Sequence, residues 1–230
     1  MTRDLPRSDG TVLLVDKPAR WTSFDVVKKI RSLTGERKVG HAGTLDPMAT
    51  GLLIVCTGRR TREVESFMGM DKEYEAELTL GGRTASFDAD TPVYDHRDTR
   101  GISAEQIRAV VSEFVGTQEQ TPPMWSALKV GGRRLYALAR RGQSVERKPR
   151  TVTVHSIDVT AIDLPRVRCT VACSKGTYIR ALAEDIGVRL GCGAYLSSLR
   201  RTRIGPYHVK DALTIEALIA RGDTGGQQPA

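Results

Sequence analysis

Residues 38–51 read KVGHAGTLDPMATG, and residues 52–55 continue as LLIV. Gly40, Gly43 and Gly51, together with Pro47, make the first stretch irregular, whereas the aliphatic run after it reads as a buried strand. The irregular stretch is therefore a loop held between regular elements. Within it Asp46 precedes Pro47, and a residue before proline is biased toward extended backbone. The neighbouring glycines allow another chain to approach closely. Asp46 is thus presented outward as a candidate catalytic carboxylate, although an Asp-Pro pair in such a loop also initiates ordinary turns.

On the N-terminal side, Thr11 to Val15 reads as a short buried strand that Lys17-Pro18 ends. Thr22 or Ser23 caps a helix whose apolar positions Val26, Ile30 and Leu33 share one face, and Gly35 stops it. On the C-terminal side, Lys72 to Leu80 alternates, with Tyr74, Ala76, Leu78 and Leu80 opposite Glu73, Glu75, Glu77 and Thr79. That pattern describes a half-buried strand. Ser103 and Gln106 form a capping-box signature ahead of Ile107, Val110, Val111 and Phe114, and Gly116 closes that helix.

Further on, Ser126 to Val130, the Gly131-Gly132 turn and Arg133 to Arg141 read as strand, turn and basic helix. Thr151 to Val159 and Val167 to Cys173 alternate as strands. Thr177 to Leu190 has helical spacing, Tyr195 to Ile204 reads as another strand, and Thr214 to Ala220 as a last short helix. Strands and helices mix without strict alternation, so the fold class is α+β. The expected organisation is one catalytic domain over 11–220 with flexible tails at 1–10 and 221–230.

A net charge of +8 and a pI near 9.5 favour an anionic partner such as nucleic acid. The charge is concentrated. Leu128 to Arg150 holds eight basic residues against Glu146 alone, a local charge of +7. Arg200, Arg201 and Arg203, followed by Lys210, read as a second surface that could track phosphates. The four cysteines contain no C-x-x-C pair and the four histidines are far apart, so no metal site is expected. No apolar run approaches the roughly 20 residues of a membrane span, and 1–10 has no signal-peptide core. With unpaired cysteines, the expectation is a cytoplasmic protein.

Asp46 needs partners. Arg180, in the first turn of the helix near Thr177, could orient a carboxylate with its planar guanidinium. Tyr74 and Tyr178 offer faces on which a base could stack. His41 is either a turn residue satisfied by backbone or a polar ring that enters an RNA fold.

Six stretches, LLVDKPARWTSFDVV, GHAGTLDPMATGLLIV, DKEYEAELTLG, TPPMWSALKVGGRRLYALAR, CSKGTYIRALAEDIG and YLSSLRRTRIGPY, resemble in order the motifs of the TruB family from about Val12 to Ala220. The resemblance implies the pseudouridine synthase fold, a mixed and mainly antiparallel sheet flanked by helices with a central active-site cleft. It also implies isomerisation of uridine 55 in the tRNA T-loop by base flipping, with no cofactor and no metal. Asp46 matches the family nucleophile, Tyr74 the active-site tyrosine, and Arg180 the arginine that pairs with the nucleophile. His41 matches the histidine that fills the space vacated by the flipped base, and Tyr178 and Leu199 match uridine-pocket residues. Lys17 lies in the KP motif beside the loop, and Lys129 with the basic segment is expected on phosphates.

Trp125 stands where the family more often has Tyr or Phe. Little sequence follows Ala220, where the family usually carries a PUA-type domain, so that domain is expected to be largely missing. The expected partner is the T-arm of tRNA, bound by a monomer without guide RNA or membrane. An RNA-binding or tRNA-folding module without catalysis is the alternative.

Overall fold

The structure is a computed structural model and describes residues 9–223. Of the expected tails at 1–10 and 221–230, residues 1–8 and 224–230 lie outside the described residues. In chain order the elements are β1 (Val12–Lys17), α1 (Ser23–Thr34), β2 (Val39–Ala42), β3 (Thr50–Thr57), a 3-10 turn (Gly58–Glu63), α2 (Val64–Gly69) and β4 (Lys72–Leu80). Then come β5 (Arg83–Thr84), β6 (Val93–Tyr94), α3 (Ala104–Ser112), β7 (Gly116–Gln120), β8 (Lys129–Val130), β9 (Arg133–Arg134) and α4 (Leu135–Ala139). The chain continues through β10 (Arg150–Asp163), β11 (Arg166–Cys173), α5 (Ile179–Arg189), β12 (Ala194–Ile204), β13 (Tyr207–His208), β14 (Leu213–Thr214) and α6 (Ile215–Asp223).

These elements form two compact units, one from Met1–Tyr74 with Arg200–Ala230 and one from Glu75–Leu199. The chain leaves the first unit within β4 and returns to it within β12. In the first unit β1 runs antiparallel to β3 and parallel to β14. The other edge of β3 is shared: β2 pairs antiparallel with 54–57, and β12 pairs parallel at Thr50 and Gly51. Apolar packing on both faces explains why β3 is an unbroken apolar run. Leu53 and Val55 join Val26, Ile30, Ile215 and Leu218 of α1 and α6, while Leu52, Ile54 and Cys56 join Phe67 of α2.

The second unit is likewise built on antiparallel strands. β10 pairs with β11 along one edge and with β7 along the other, and α3 packs against β10 and α5. The α+β class and its mainly antiparallel sheet, flanked by helices, are as the sequence indicates.

Local differences have physical causes. The glycine-rich stretch is not irregular throughout, because pairing with β3 draws Val39–Ala42 into a strand and leaves only 43–49 as loop. The expected basic helix over Arg133 to Arg141 shrinks to Leu135–Ala139. Gly131 and Gly132, both at positive φ, close a hairpin that takes Arg133 and Arg134 into β9 instead. Both capping signals hold: Thr22 and Ser103 each complete a capping box. The last helix runs to Asp223, into the stretch read as a tail.

Gly51 is required by its neighbours. Its φ is +99°, and a Cβ there would lie 2.3 Å from the Arg201 carbonyl oxygen. Gly51→Ala is therefore expected to lower unfolding free energy by roughly 3 kcal/mol, from strain and overlap together. A urea titration beside the wild type measures it, and a loss below ~0.5 kcal/mol would contradict this account.

Candidate active site

Loop 43–49 joins β2 to β3 and carries Asp46. Side chains from distant parts of the first unit fix its path. Arg201 on β12 is 1% exposed; its Nε donates to the Leu52 carbonyl at 2.8 Å and its Nη2 to the Gly43 carbonyl at 3.1 Å. Ser23 brackets one peptide of the loop: Leu45 N–H donates to its Oγ at 2.9 Å, and the hydroxyl donates back to the Leu45 carbonyl at 3.2 Å. Lys17, fully buried, donates from Nζ to the carbonyls of Trp21 (2.6 Å), Pro18 (2.9 Å) and Pro47 (3.4 Å). Arg20 N–H adds a 2.7 Å bond to the same Pro47 oxygen, and Ala49 N–H closes a turn on the Asp46 carbonyl at 3.1 Å. The residues before and after Asp46 are thus both anchored, which leaves its backbone little freedom.

The electrostatics follow from this packing. Three carbonyls match the three donors of the Lys17 ammonium, which is how a buried cation avoids an unpaired charge. Burial nevertheless holds its pKa down to about 8; Asp46 raises it, Arg201 lowers it and Asp25 raises it. His41 lies in β2, two residues before the loop begins. Burial first, and the Arg201 guanidinium second, hold its pKa below the usual value, while the Gly43 backbone opposes them. The ring is therefore neutral near pH 7, able to donate from one nitrogen and accept at the other. Tyr74, 8% exposed, is on the inward face of β4.

The second unit holds the remaining candidates. Arg180 is 4% exposed in the first turn of α5; its Nη1 pairs with Asp88 Oδ2 at 3.2 Å and donates to the Ser86 carbonyl at 3.0 Å. Its Nη2 donates to the Trp125 carbonyl at 2.8 Å. Asp88 also accepts from the Ser86 hydroxyl at 2.5 Å and from Asp90 N–H at 3.0 Å. Removing one member of such a buried pair costs on the order of 3 to 5 kcal/mol, because the other charge is left uncompensated. Tyr178 is the N-cap of α5. Gln120, 4% exposed, brackets its peptide, accepting from Tyr178 N–H at 2.7 Å and donating to the Tyr178 carbonyl at 3.0 Å. Leu199 is buried in β12.

Two expectations change. Arg200, Arg201 and Arg203 do not form an open phosphate surface: Arg201 is buried against carbonyls, Arg200 grips both oxygens of Asp16 at 3.1 and 2.7 Å, and Arg203 pairs with Glu73 at 3.4 Å. Strand pairing at Thr50 and Gly51 turns these side chains to structural work. Ser23, read as a possible cap, instead holds the loop. By contrast Arg133, Arg134, Arg140, Arg141, Lys148 and Arg150 are all exposed. The Arg134 and Arg140 guanidinium groups lie 5.9 and 5.6 Å from the Tyr136 ring centre. Lys129 is in β8, and its side chain is outside the described part of the structure.

Asp88, Gln120, Ser23 and Arg201 are the residues that sequence reasoning missed as site elements. The only local signal was for Asp88, in an S-x-D-x-D stretch that reads as a turn. Among the described residues no group of His, Cys, Asp and Glu could hold a metal ion.

The sequence matches the model of the TruB family pseudouridylate synthase N-terminal domain over residues 31–179, and that of the tRNA pseudouridylate synthase B C-terminal domain over 180–223. A tRNA pseudouridine synthase B of Chlorobium luteolum is 51% identical over 225 residues, which cover 96% of this chain and 78% of the relative. One from Phocaeicola vulgatus is 46% identical, with 91% of this chain and 92% of the relative covered. Among solved structures, a Cbf5-Nop10-Gar1 complex contains a chain 32% identical with a TM-score of 0.72, covering 95% of this chain and 57% of that one. An H/ACA RNP bound to a substrate RNA containing 2'-deoxyuridine gives 30% identity and a TM-score of 0.69, over 96% and 56%. This chain thus spans little more than half the length of those structural relatives.

Lys17 gives a pH test. Its folded pKa of about 8 lies below the ordinary 10.5, so between these values the unfolded chain binds more protons and stability contributed by this group rises with pH. The unfolding free energy of wild type should therefore gain on that of Lys17→Met between pH 7.5 and 10. A constant difference across that window, measured by denaturant titration, would refute the depressed pKa.

Proposed function

The chain belongs to the TruB family of pseudouridylate synthases, and from that premise we propose that it isomerises uridine 55 in the T-loop of tRNA to pseudouridine. The observation that carries the reading is Asp46 on a loop anchored at both neighbouring residues. The reaction breaks the N1–C1′ bond, joins C1′ to C5, and moves a proton from C5 to solvent while N1 gains one. Atoms and electrons balance without an oxidant or reductant, so the chemistry itself requires no cofactor.

In this reading the target base is flipped out of the T-loop, at a cost of a few kcal/mol that stacking and polar contacts offset. Asp46 acts either as the nucleophile toward base or ribose or as the negative charge that stabilises the anomeric carbon. A carboxylate held rigidly serves either role, because it needs no reorganisation when charge develops. Arg180 is assigned to the same chemistry by the family resemblance, and within the second unit it is oriented by Asp88 and by the Ser86 and Trp125 carbonyls. Tyr74 stacks on the uracil and assists removal of the C5 proton. Tyr178 and Leu199 are the residues that the resemblance assigns to the uridine, and neutral His41 fills the gap left in the RNA.

The exposed basic segment over 133–150, with Lys129, carries T-arm phosphates. The protein acts as a cytoplasmic monomer with no guide RNA; its own exposed cations supply the electrostatic attraction that sequence-independent RNA binding needs. Lys17 has a supporting role. As an ammonium it fills three carbonyls, and as an amine it leaves one without a donor.

Tritium release from C5-labelled uridine in a T-arm stem-loop measures the reaction. Asp46→Ala and Asp46→Asn should abolish release, and Arg180→Lys should slow it by about 10² to 10³. Normal turnover by a folded, RNA-binding Asp46→Asn would overturn the assignment, and binding without release by wild type would favour a non-catalytic RNA-binding module. Wild-type turnover should also fall above pH 8, as Lys17 loses its proton. A rate flat to pH 9.5 would separate Lys17 from loop positioning.

A further inference from the structure

The first unit has an open cavity of about 500 Å³ lined by Arg20, Trp21, Asp25, Lys28, Lys29 and Ser32, and none of the steps above uses it. We propose that this cavity is a second RNA subsite, which takes a phosphate and base of the substrate outside the nucleotide being isomerised. It rests on the reading that RNA is the substrate.

The charge balance selects an anion. Asp25 is the only acid in the lining, and its carboxylate is already engaged: Oδ2 accepts from Thr22 N–H at 3.0 Å and from the Thr22 hydroxyl at 2.6 Å. Its approach to Lys28 is long, 3.9 Å between side chains 62% and 44% exposed, and such pairs neutralise little. Among the described residues Arg20 and Lys29 have no ion-pair partner. Three cations therefore surround one carboxylate that is already in use.

The aromatic wall narrows the choice of anion. Trp21 packs against the core that includes Leu13 and Val26, and its carbonyl receives the 2.6 Å bond from Lys17, so its indole rests on a fixed base. An aromatic face beside unpaired cations is the combination that binds single-stranded nucleic acid, the ring stacking on a base and the cations neutralising phosphate. An acidic protein surface would need the cations and not the aromatic ring.

Position ties the cavity to the chemistry. Arg20, at φ 67°, donates its N–H to Pro47, the residue after Asp46. The cavity wall and the loop are hydrogen-bonded neighbours, so successive parts of one RNA strand can reach both.

The test compares tRNA affinity, across salt concentrations, for wild type, Lys29→Ala, Arg20→Gly and the exposed, non-lining Arg62→Ala. Glycine at position 20 keeps the N–H and relieves the left-handed backbone. Lys29→Ala and Arg20→Gly should each weaken binding about three- to tenfold at about 0.1 M salt and reduce the slope of log K against log salt by about one. Arg62→Ala should stay within about twofold of wild type. Unchanged affinity and slope in both lining variants would overturn the subsite, and so would an equal loss in Arg62→Ala, which would mark diffuse charge only. Pseudouridine formation by wild type on the same tRNA separates the two readings. No product would sink the proposed function, whereas product with binding unmoved by the lining variants would sink the subsite alone.

Discussion

Two buried cations hold the loop on which Asp46 sits, and the rest of the first unit is arranged so that they can. An ammonium or guanidinium enters a protein interior only if its donors are matched, and here the acceptors are backbone carbonyls of the loop and its flanks. Lys17 takes the Pro47 carbonyl and Arg201 the Gly43 carbonyl, so the two ends of the segment are fixed by charge-assisted bonds. At ordinary length such a bond is worth about 1.5 to 3 kcal/mol, and the 3.4 Å contact of Lys17 contributes less. Those anchors in turn demand the sheet around them: β1 must deliver Lys17 and β12 must deliver Arg201, and Gly51 must lack a side chain for β12 to pair where it does.

The second unit solves a similar problem by a different device. Arg180 is oriented by a carboxylate and two carbonyls, and the start of α5 is pinned through the Tyr178 peptide by one glutamine amide. Farther along α5, Glu184 pairs with Arg83. The guanidinium is thus set by the loop that carries Asp88 and by Trp125, and not only by its place in the helix. That makes lysine a poor replacement, since it offers a point charge where a planar fork meets three fixed acceptors.

Much of this was legible before any coordinates. Alternation over Lys72 to Leu80 reported a strand face directly, because burial there repeats with the period of the backbone, and the Ser103–Gln106 capping box and the cap at Thr22 or Ser23 marked two helix starts. Asp46 and Arg180 could be singled out through motif resemblance. Ser23 and Arg201 could not, because one hydroxyl or guanidinium reaching a carbonyl across 22 or 158 residues leaves no periodic trace. The same reason misassigned Arg200 to Arg203 to solvent. Arginines in a row look alike whether they meet phosphate, carboxylate or backbone. Short pairings such as β5 with β6 were missed because two residues are too few for a pattern.

The separation of Gly43 from Arg201 also bears on how the protein is made. A ribosome releases the Asp46 loop early, with Ser23 and Lys17 already available to hold it, but the guanidinium that secures its entry emerges only after the whole second unit has been synthesised. For most of translation the nascent chain therefore holds a carboxylate whose supporting loop is only partly secured. The entry to the loop is thus secured late, once Arg201 of β12 has emerged.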